Sequence, residues 1–234
     1  RDRYYPDGLI DKWAQIDPVV RFTDHLKSNG GLNEDEEKDI RARHKQAILD
    51  GLKVSEQLPD IEADLDVELS DRFAPGTPKA IAPTSEGREL RMIDAISEGL
   101  GLSMEKHDTM VCMGQDIADY GGVFKVTDGF VERFTKDRVR NTPLCESAIV
   151  GAALGLSISG RKSMMEMQFS DFVTCGFNQI VNNLAKIHWR WGQSADVVVR
   201  MPTGGGVGAG PYHSQSTEAW FFHVPGLKIA YPST

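Results

Sequence analysis

Long apolar runs, paired cysteines and a basic surplus are all missing from this chain of 234 residues. No run of about twenty apolar residues occurs, so nothing reads as a helix that spans a membrane. The three cysteines, Cys112, Cys145 and Cys175, are an odd set without CxxC spacing, each among apolar neighbours. They read as reduced thiols rather than a disulfide framework. No signal-like segment follows Arg1. Together these predict a cytoplasmic protein in a bacterium, or a mitochondrial-matrix one in a eukaryote. The net charge is −8, and the segment Asn33–Asp71 alone holds 13 acids against 5 Lys/Arg, leaving 21 of each sign elsewhere. A chain without a basic face is not expected to bind nucleic acid. The simplest reading of the acidic segment is a solvated helix surface. The glycines at 204, 205, 206, 208 and 210 are followed by no GKS or GKT, which excludes a P-loop. No acid ends the following run LKIAYPST, so a Rossmann ribose ligand is missing too.

What is present divides the chain in three. Residues 7–58 read as helices: Trp13, Val19, Phe22 and Leu26 give one apolar face, Pro18 starts a second helix, and Gly30 and Gly31 stop it. NEDEE from Asn33 opens a charged helix with acids in its first turn, where the macrodipole favours them. Its stripe of Ile40, Ala47, Ile48, Leu52 and Val54 is thin, so this part must lie on something larger. Ala74–Arg88, with three prolines and two glycines, reads as a linker. Beyond it, apolar runs at Met110–Met113, Met164–Met167, Val197–Met201 and Leu227–Tyr231 alternate with helical stretches at Leu90–Gly99, Ser147–Ser159, Phe172–Trp191 and Ser216–His223. Continuous apolar strands in a βα alternation predict an α/β fold, a parallel sheet with helices on both faces, preceded by a helical tail.

The chemistry-bearing residues sit in two stretches. Glu146 is a lone acid at the start of a small, apolar helix, and Gly151, Ala152, Ala153 and Gly155 on that helix predict a closely packed neighbour. Gln168, Asp171 and Phe172 follow a buried strand in EMQFSDF, and His213 lies in PYHSQSTEAWF behind the glycine cluster. By residue type alone each has a bland reading. Glu146 can be a helix acid stabilised by the dipole. Phe172 can be core, Gln168 a satisfied polar group, Asp171 a helix cap, and His213 a loop histidine bonded to its neighbours. Thr217 is expected to start the helix after His213. The other histidines, His25, His44, His107, His188 and His223, have no comparable context.

The stretch NTPLCESAIVGAALGLSISGRKSMMEMQFSDF, together with DIADYGGVFKVT and PYHSQSTEAWF, resembles the thiamine-diphosphate-binding half of the beta subunit of the 2-oxo acid dehydrogenases, from about Glu89 to Thr234. Residues 1–73 are similar to the C-terminal end of the alpha subunit of the same enzymes, on Trp13 and the DPxxRF pattern of Asp17, Pro18, Arg21 and Phe22. The resemblance therefore implies a natural fusion: alpha tail 1–73, linker 74–88, and a pyrimidine-binding domain at 89–234. It implies oxidative decarboxylation of a 2-oxo acid, branched-chain ahead of pyruvate, with acyl transfer to a lipoyl domain of the acyltransferase component. The cofactors implied are thiamine diphosphate and magnesium. The cofactor's thiazolium carbon must lose a proton to its own aminopyrimidine, a step favoured when a buried carboxyl bonds the ring nitrogen on the far side. Glu146 falls on the family's TPxxE position and takes that role. Phe172 would stack on the aminopyrimidine and Gln168 would line the same pocket. His213 would protonate the dithiolane of an incoming lipoyl group. DIADYGGVFKVT, where Gln115 replaces the family's usual Glu, reads as subunit-contact structure without a catalytic role.

Two departures qualify the resemblance. No GDG motif for diphosphate and magnesium occurs, so the chain itself is expected to bind no metal. The sequence also stops at Thr234, ahead of the beta subunit's C-terminal domain. It reads as half of an active site, completed by the remaining alpha and beta segments in a homo-oligomer or heterotetramer. The alternatives are a non-catalytic assembly module of the same complex, favoured by the acidic helix and the missing diphosphate motif, and a transketolase-type enzyme.

Overall fold

A computed structural model describes residues 6–76, 79, 82 and 87–232. Residues 77, 78, 80, 81 and 83–86 of the expected linker lie outside the described residues. Contacts divide the chain into two compact units, 1–62 and 63–234.

The first unit is helical. Helices α1 (Leu9–Ala14), α2 (Pro18–Ser28) and α3 (Glu34–Glu56) follow one another. Pro18 opens α2, and the Asp17 carboxylate accepts from Val19 N at 2.8 Å. Gly30, at φ 69°, takes the left-handed conformation just beyond that helix. Asn33 and Glu36 close a reciprocal capping box at the start of α3, and Glu34, Asp35, Glu36 and Glu37 fill its first turn. None of these helices buries a residue; Trp13, Val19 and Phe22 are all about 60% exposed. The expected apolar face exists, but among the described residues of the unit only Leu26 of the four is partly covered.

The second unit holds the sheet. A short helix α4 (Leu65–Ser70) leads to α5 (Met92–Lys106), then β1 (Val111–Gly114), α6 (Phe130–Phe134), β2 (Val139–Asn141), α7 (Glu146–Ile158) and β3 (Ser163–Glu166). Helices α8 (Val173–Asn178) and α9 (Ile187–Trp191) and strand β4 (Val197–Arg200) follow. All strand pairs are parallel, in the order β2-β1-β3-β4. Successive side chains of a strand point to opposite faces, and both faces are covered here. Val111, Met113, Met165 and Met167 pack with Ile149, Val150 and Ala153 of α7 and Val173 of α8. Met110, Cys112 and Met164 pack with Met104 of α5 and Phe130 and Phe134 of α6. Strands β1 and β3 are buried along their whole length, as strands covered on both faces must be.

Four details differ from the sequence expectation. Strand β2 was not foreseen; VRN is short and polar, and only pairing with β1 makes it a strand. Leu227–Tyr231 forms no regular structure, because an apolar run becomes a strand only with a hydrogen-bonded neighbour. It lines instead a cavity of about 330 Å³ with Val197, Val199 and Met201. The helix expected over Phe172–Trp191 is broken by a π-helical stretch, Gln179–Leu184, where Ala185 N donates to Ile180 O at 2.9 Å. Of Ser216–His223, only Glu218–Phe221 is helical, as a 3₁₀ turn. Thr217 does precede it, but its hydroxyl does not cap it.

Candidate functional site

In open parallel sheets a ligand crevice forms beyond the carboxyl ends of the strands, where the strand order reverses. Here the chain leaves β1 towards β2 through α6 on one face, then returns to β3 through α7 on the other. The reversal lies between the carboxyl ends of β1 and β3. Gln115 and Asp116 follow β1, Thr142–Glu146 follow β2, and Met167–Phe172 follow β3. Both sequence stretches that carried chemistry therefore end at one rim of the sheet.

Glu146 is the first residue of α7 and is only 9% exposed. Among the described residues its carboxylate has no hydrogen-bond or ion-pair partner. The helix N-terminus favours its charge, and its oxygens keep some access to solvent. The close approach predicted around this helix occurs at a different glycine. Gly176 of α8 sits against it: a Cβ there would meet Met167 Cε at 3.0 Å, Val150 Cγ2 at 3.3 Å and Glu146 O at 3.5 Å. Gly151 faces only Gln179, at 3.9 Å, while Ala152 and Gly155 are exposed and nothing lies within 4 Å of a Cβ at Gly155. The expected tight neighbour of Ala152 and Gly155 is thus not met among the described residues, because α8 crosses α7 on its Val150 side.

Two further polar atoms are buried without a partner at this rim: Gln115 Nε2 and Thr142 Oγ1. The β1–β2 register, Gly114 opposite Asn141, puts Gln115 and Thr142 side by side. Along β1, Gln115 continues the alternation of Val111 and Met113, the face that packs on α7. A carboxylate on a buried residue, and a buried amide donor and hydroxyl without partners, are groups at one rim that suit a flat, nitrogen-rich heterocycle. Sequence reasoning had noted Gln115 only as a departure from the family.

Phe172 and His213 do come together. Their rings meet edge-on at 5.4 Å between centroids, and Phe169 joins both, 5.8 Å from Phe172 and 4.9 Å from His213. Phe124 packs edge-on against Phe169 at 5.6 Å. Phe169 and Phe124 were missed; only the aromatic content of EMQFSDF and GGVFKVT hinted at them. The GGVFKVT segment is folded onto the rim by Thr127, whose buried hydroxyl donates to Ile117 O at 2.6 Å. Gln168 Nε2 donates to Asp116 Oδ2 at 3.3 Å, bridging the turns after β1 and β3. Among the described residues, Glu146 makes no polar contact with Gln168 or His213.

Asp171 does not cap a helix as expected. It is 7% exposed, and its carboxylate accepts from Gln215 N at 3.1 Å and Gln215 Nε2 at 3.0 Å. Glu166, at the end of β3, was also missed. It is 3% exposed and pairs with Arg200 of β4, Nη1 to Oε2 at 2.5 Å. Burial pushes its carboxyl above the usual range while the Arg200 guanidinium pulls it back. The pair ties the adjacent strands β3 and β4 at Glu166 and Arg200, which face each other in register. No cluster of His, Cys, Asp and Glu suited to a metal occurs among the described residues.

Comparison with known proteins agrees with this architecture. Residues 88–234 match the family described as transketolase, pyrimidine binding domain. The 2-oxoisovalerate dehydrogenase subunit beta of Bacillus subtilis is 47% identical over 146 residues, covering 61% of this chain and 44% of that protein. The 3-methyl-2-oxobutanoate dehydrogenase subunit beta of Mycobacterium tuberculosis is 41% identical over 170 residues, 71% of this chain and 49% of that one. The pyruvate dehydrogenase E1 component subunit beta of Leifsonia xyli is 40% identical over 159 residues, 67% of this chain and 47% of that one. The chain spans about half the length of these curated relatives. A four-stranded parallel sheet flanked by helices, with a polar rim at its carboxyl edge, and this pattern of matches lead to one assignment: the chain belongs to the transketolase pyrimidine-binding domain family, and over that region it is similar to beta subunits of the 2-oxo acid dehydrogenases.

Proposed function

We propose that this chain supplies the aminopyrimidine-binding half of the active site of a thiamine-diphosphate-dependent 2-oxo acid dehydrogenase. The observation that carries the proposal is the buried residue Glu146, its carboxylate without a partner among the described residues, at the same rim of the sheet as the unfilled Gln115 Nε2 and Thr142 Oγ1. Bound there, thiamine diphosphate supplies a carbon nucleophile able to expel carbon dioxide from a 2-oxo acid. Glu146 holds a pyrimidine ring nitrogen through its carboxyl and shares a proton with it; burial keeps water from competing for that bond. Phe172 presents an aromatic wall to the ring, and Gln168, steadied by Asp116, lines the same pocket. His213, seated on Phe169 and Phe172, gives a proton to the sulfur of a lipoyl group as the acyl unit is transferred to the acyltransferase component.

Diphosphate and magnesium are held by the alpha segment of the enzyme, in keeping with the absence of a GDG motif from this sequence. Residues 1–73 serve as an alpha-type tail, with 74–88 as the tether to the catalytic domain; the open apolar face of α2 supports docking on the rest of the enzyme. The substrate is a branched-chain 2-oxo acid ahead of pyruvate, following the names of the 47% and 41% identical relatives. The setting is the bacterial cytoplasm or the mitochondrial matrix.

The test is turnover of the complete enzyme on 3-methyl-2-oxobutanoate and on pyruvate, with an artificial electron acceptor. Glu146→Gln should lower decarboxylation by about a hundredfold or more, the scale of a positioned acid or base, and weaken cofactor binding far less. Near-parental turnover at saturating cofactor would remove Glu146 from the mechanism and favour an assembly module instead.

A further inference from the structure

The turn Phe169–Phe172 does two jobs in alternation. Its outer residues, Phe169 and Phe172, seat the His213 ring. Its inner residues, Ser170 and Asp171, grip the backbone and side chain of Gln215, two positions further on. Asp171 Oδ1 accepts both Gln215 N and Gln215 Nε2, and Ser170 Oγ donates to Gln215 O at 3.1 Å. Thr203 Oγ1 donates to the same Gln215 O at 2.9 Å. Thr217, 1% exposed, adds a longer bond from its hydroxyl to Ser170 O at 3.5 Å.

The segment that carries His213 has little stiffness of its own. It begins in the glycine cluster, with Gly204, Gly208 and Gly210 at positive φ. Its internal bonds are Val207 N to Gly204 O at 3.4 Å, Gly208 N to Gly205 O at 3.1 Å, Ala209 N to Ser214 Oγ at 2.9 Å and His213 N to Gly210 O at 3.3 Å, all local to one turn or loop. A carboxylate as buried as Asp171, with no cation beside it among the described residues, is costly unless its bonds are needed. Its contacts all go to Gln215, and it caps no helix.

We propose that Asp171 is a positioning residue: by clamping Gln215 it fixes the His213 imidazole against Phe169 and Phe172. The catalytic consequence rests on the transfer role given to His213 above; the clamp itself does not. Asp171→Ala removes the acceptor, whereas Asp171→Asn keeps an oxygen in place for both donors. In the assembled enzyme, Asp171→Ala should speed amide hydrogen exchange across 211–217 by about tenfold or more, the scale of one or two lost charge-assisted bonds. It should also lower the ratio of acyl transfer onto a lipoylated domain to dye-linked decarboxylation by about tenfold, and Asp171→Asn should recover both to within about threefold. Unchanged exchange in a folded Asp171→Ala enzyme overturns the clamp. If Asp171→Ala does not fold, Gln215→Leu, which removes Nε2 from the other side, decides: faster exchange over 211–217 supports the clamp and unchanged exchange overturns it. His213→Ala, measured alongside, separates the two claims. If it leaves the rate ratio unaltered, the transfer role fails while the exchange result still judges the clamp.

Discussion

Alanine in place of Gly155 and in place of Gly176 should move stability in opposite directions. Both glycines lie inside helices, α7 and α8, where alanine is favoured over glycine by about 1 kcal/mol. At Gly155 nothing lies within 4 Å of the new methyl, so the whole gain is realised. The melting temperature should rise by roughly 2–4 °C, the shift expected per kcal/mol for a chain of this size. At Gly176 the methyl would sit 3.0 Å from Met167 Cε and 3.3 Å from Val150 Cγ2. Met167 is 1% exposed and Val150 0%, so neither has room to withdraw. Overpacking of this kind costs about 1–3 kcal/mol; at about 2 kcal/mol, the middle of that range, it outweighs the propensity gain and leaves a net loss of about 1 kcal/mol. Thermal unfolding of the two variants and the parent, by calorimetry or circular dichroism, is the assay. A Gly176→Ala protein as stable as the parent would refute the reasoning about α7–α8 contact. Repeating Gly155→Ala in the assembled enzyme adds a second reading. A loss there, against a gain in this chain alone, would reveal an element packed on the open side of α7.

Other outcomes follow from the same geometry. His213→Ala should keep most dye-linked decarboxylation yet lose about a hundredfold in acyl transfer to a lipoylated domain, the contribution of a positioned acid; an unchanged ratio of the two rates returns His213 to a structural role. Cys112 is buried and its thiol is pushed up to about 12, chiefly by burial, whereas Cys175 is exposed. A thiol reagent at pH 8 should therefore label Cys175 in the native protein and reach Cys112 only after denaturation, since about one part in ten thousand of Cys112 is thiolate there. The Glu166 carboxyl is raised by burial from an ordinary value of 4.5, so folding favours its protonated form. Stability from this group is present below that value and is lost as pH rises through the folded pKa. The stability of Glu166→Gln relative to the parent, measured by denaturant melts, should become more favourable with rising pH over that window, on top of a constant cost for losing Arg200; a flat or falling difference contradicts it.

Local chemistry was enough to find the elements. Asp17 and Pro18, the Asn33–Glu36 box and Gly30 mark helix ends through bonds made within a few residues, so the sequence alone sets them. The apolar runs around Met113 and Met165 announced strands buried on both faces, and that single property implies a parallel sheet under helices; the run around Val198 read the same way, yet β4 leaves Val198 57% exposed. Glu146 stood out as a lone acid at an apolar helix start, and His213 through the resemblance carried by PYHSQSTEAWF. What the sequence could not supply is everything that depends on a neighbour distant along the chain. VRN became a strand because β1 offered it a ladder, and LKIAY did not because nothing did. The closeness expected of Gly155 fell to Gly176, since which helix face meets another is settled by packing. Asp171 looks like a helix cap in the string of letters and becomes a clamp only when residue 215 is brought beside residue 171. Likewise Gln115 and Thr142 are ordinary letters until the fold buries them at one rim of the sheet and leaves their polar atoms without partners. Short-range bonds and hydrophobic period are written locally; the sharing of polar groups between distant segments is decided by tertiary structure, and the candidate site is made of such groups.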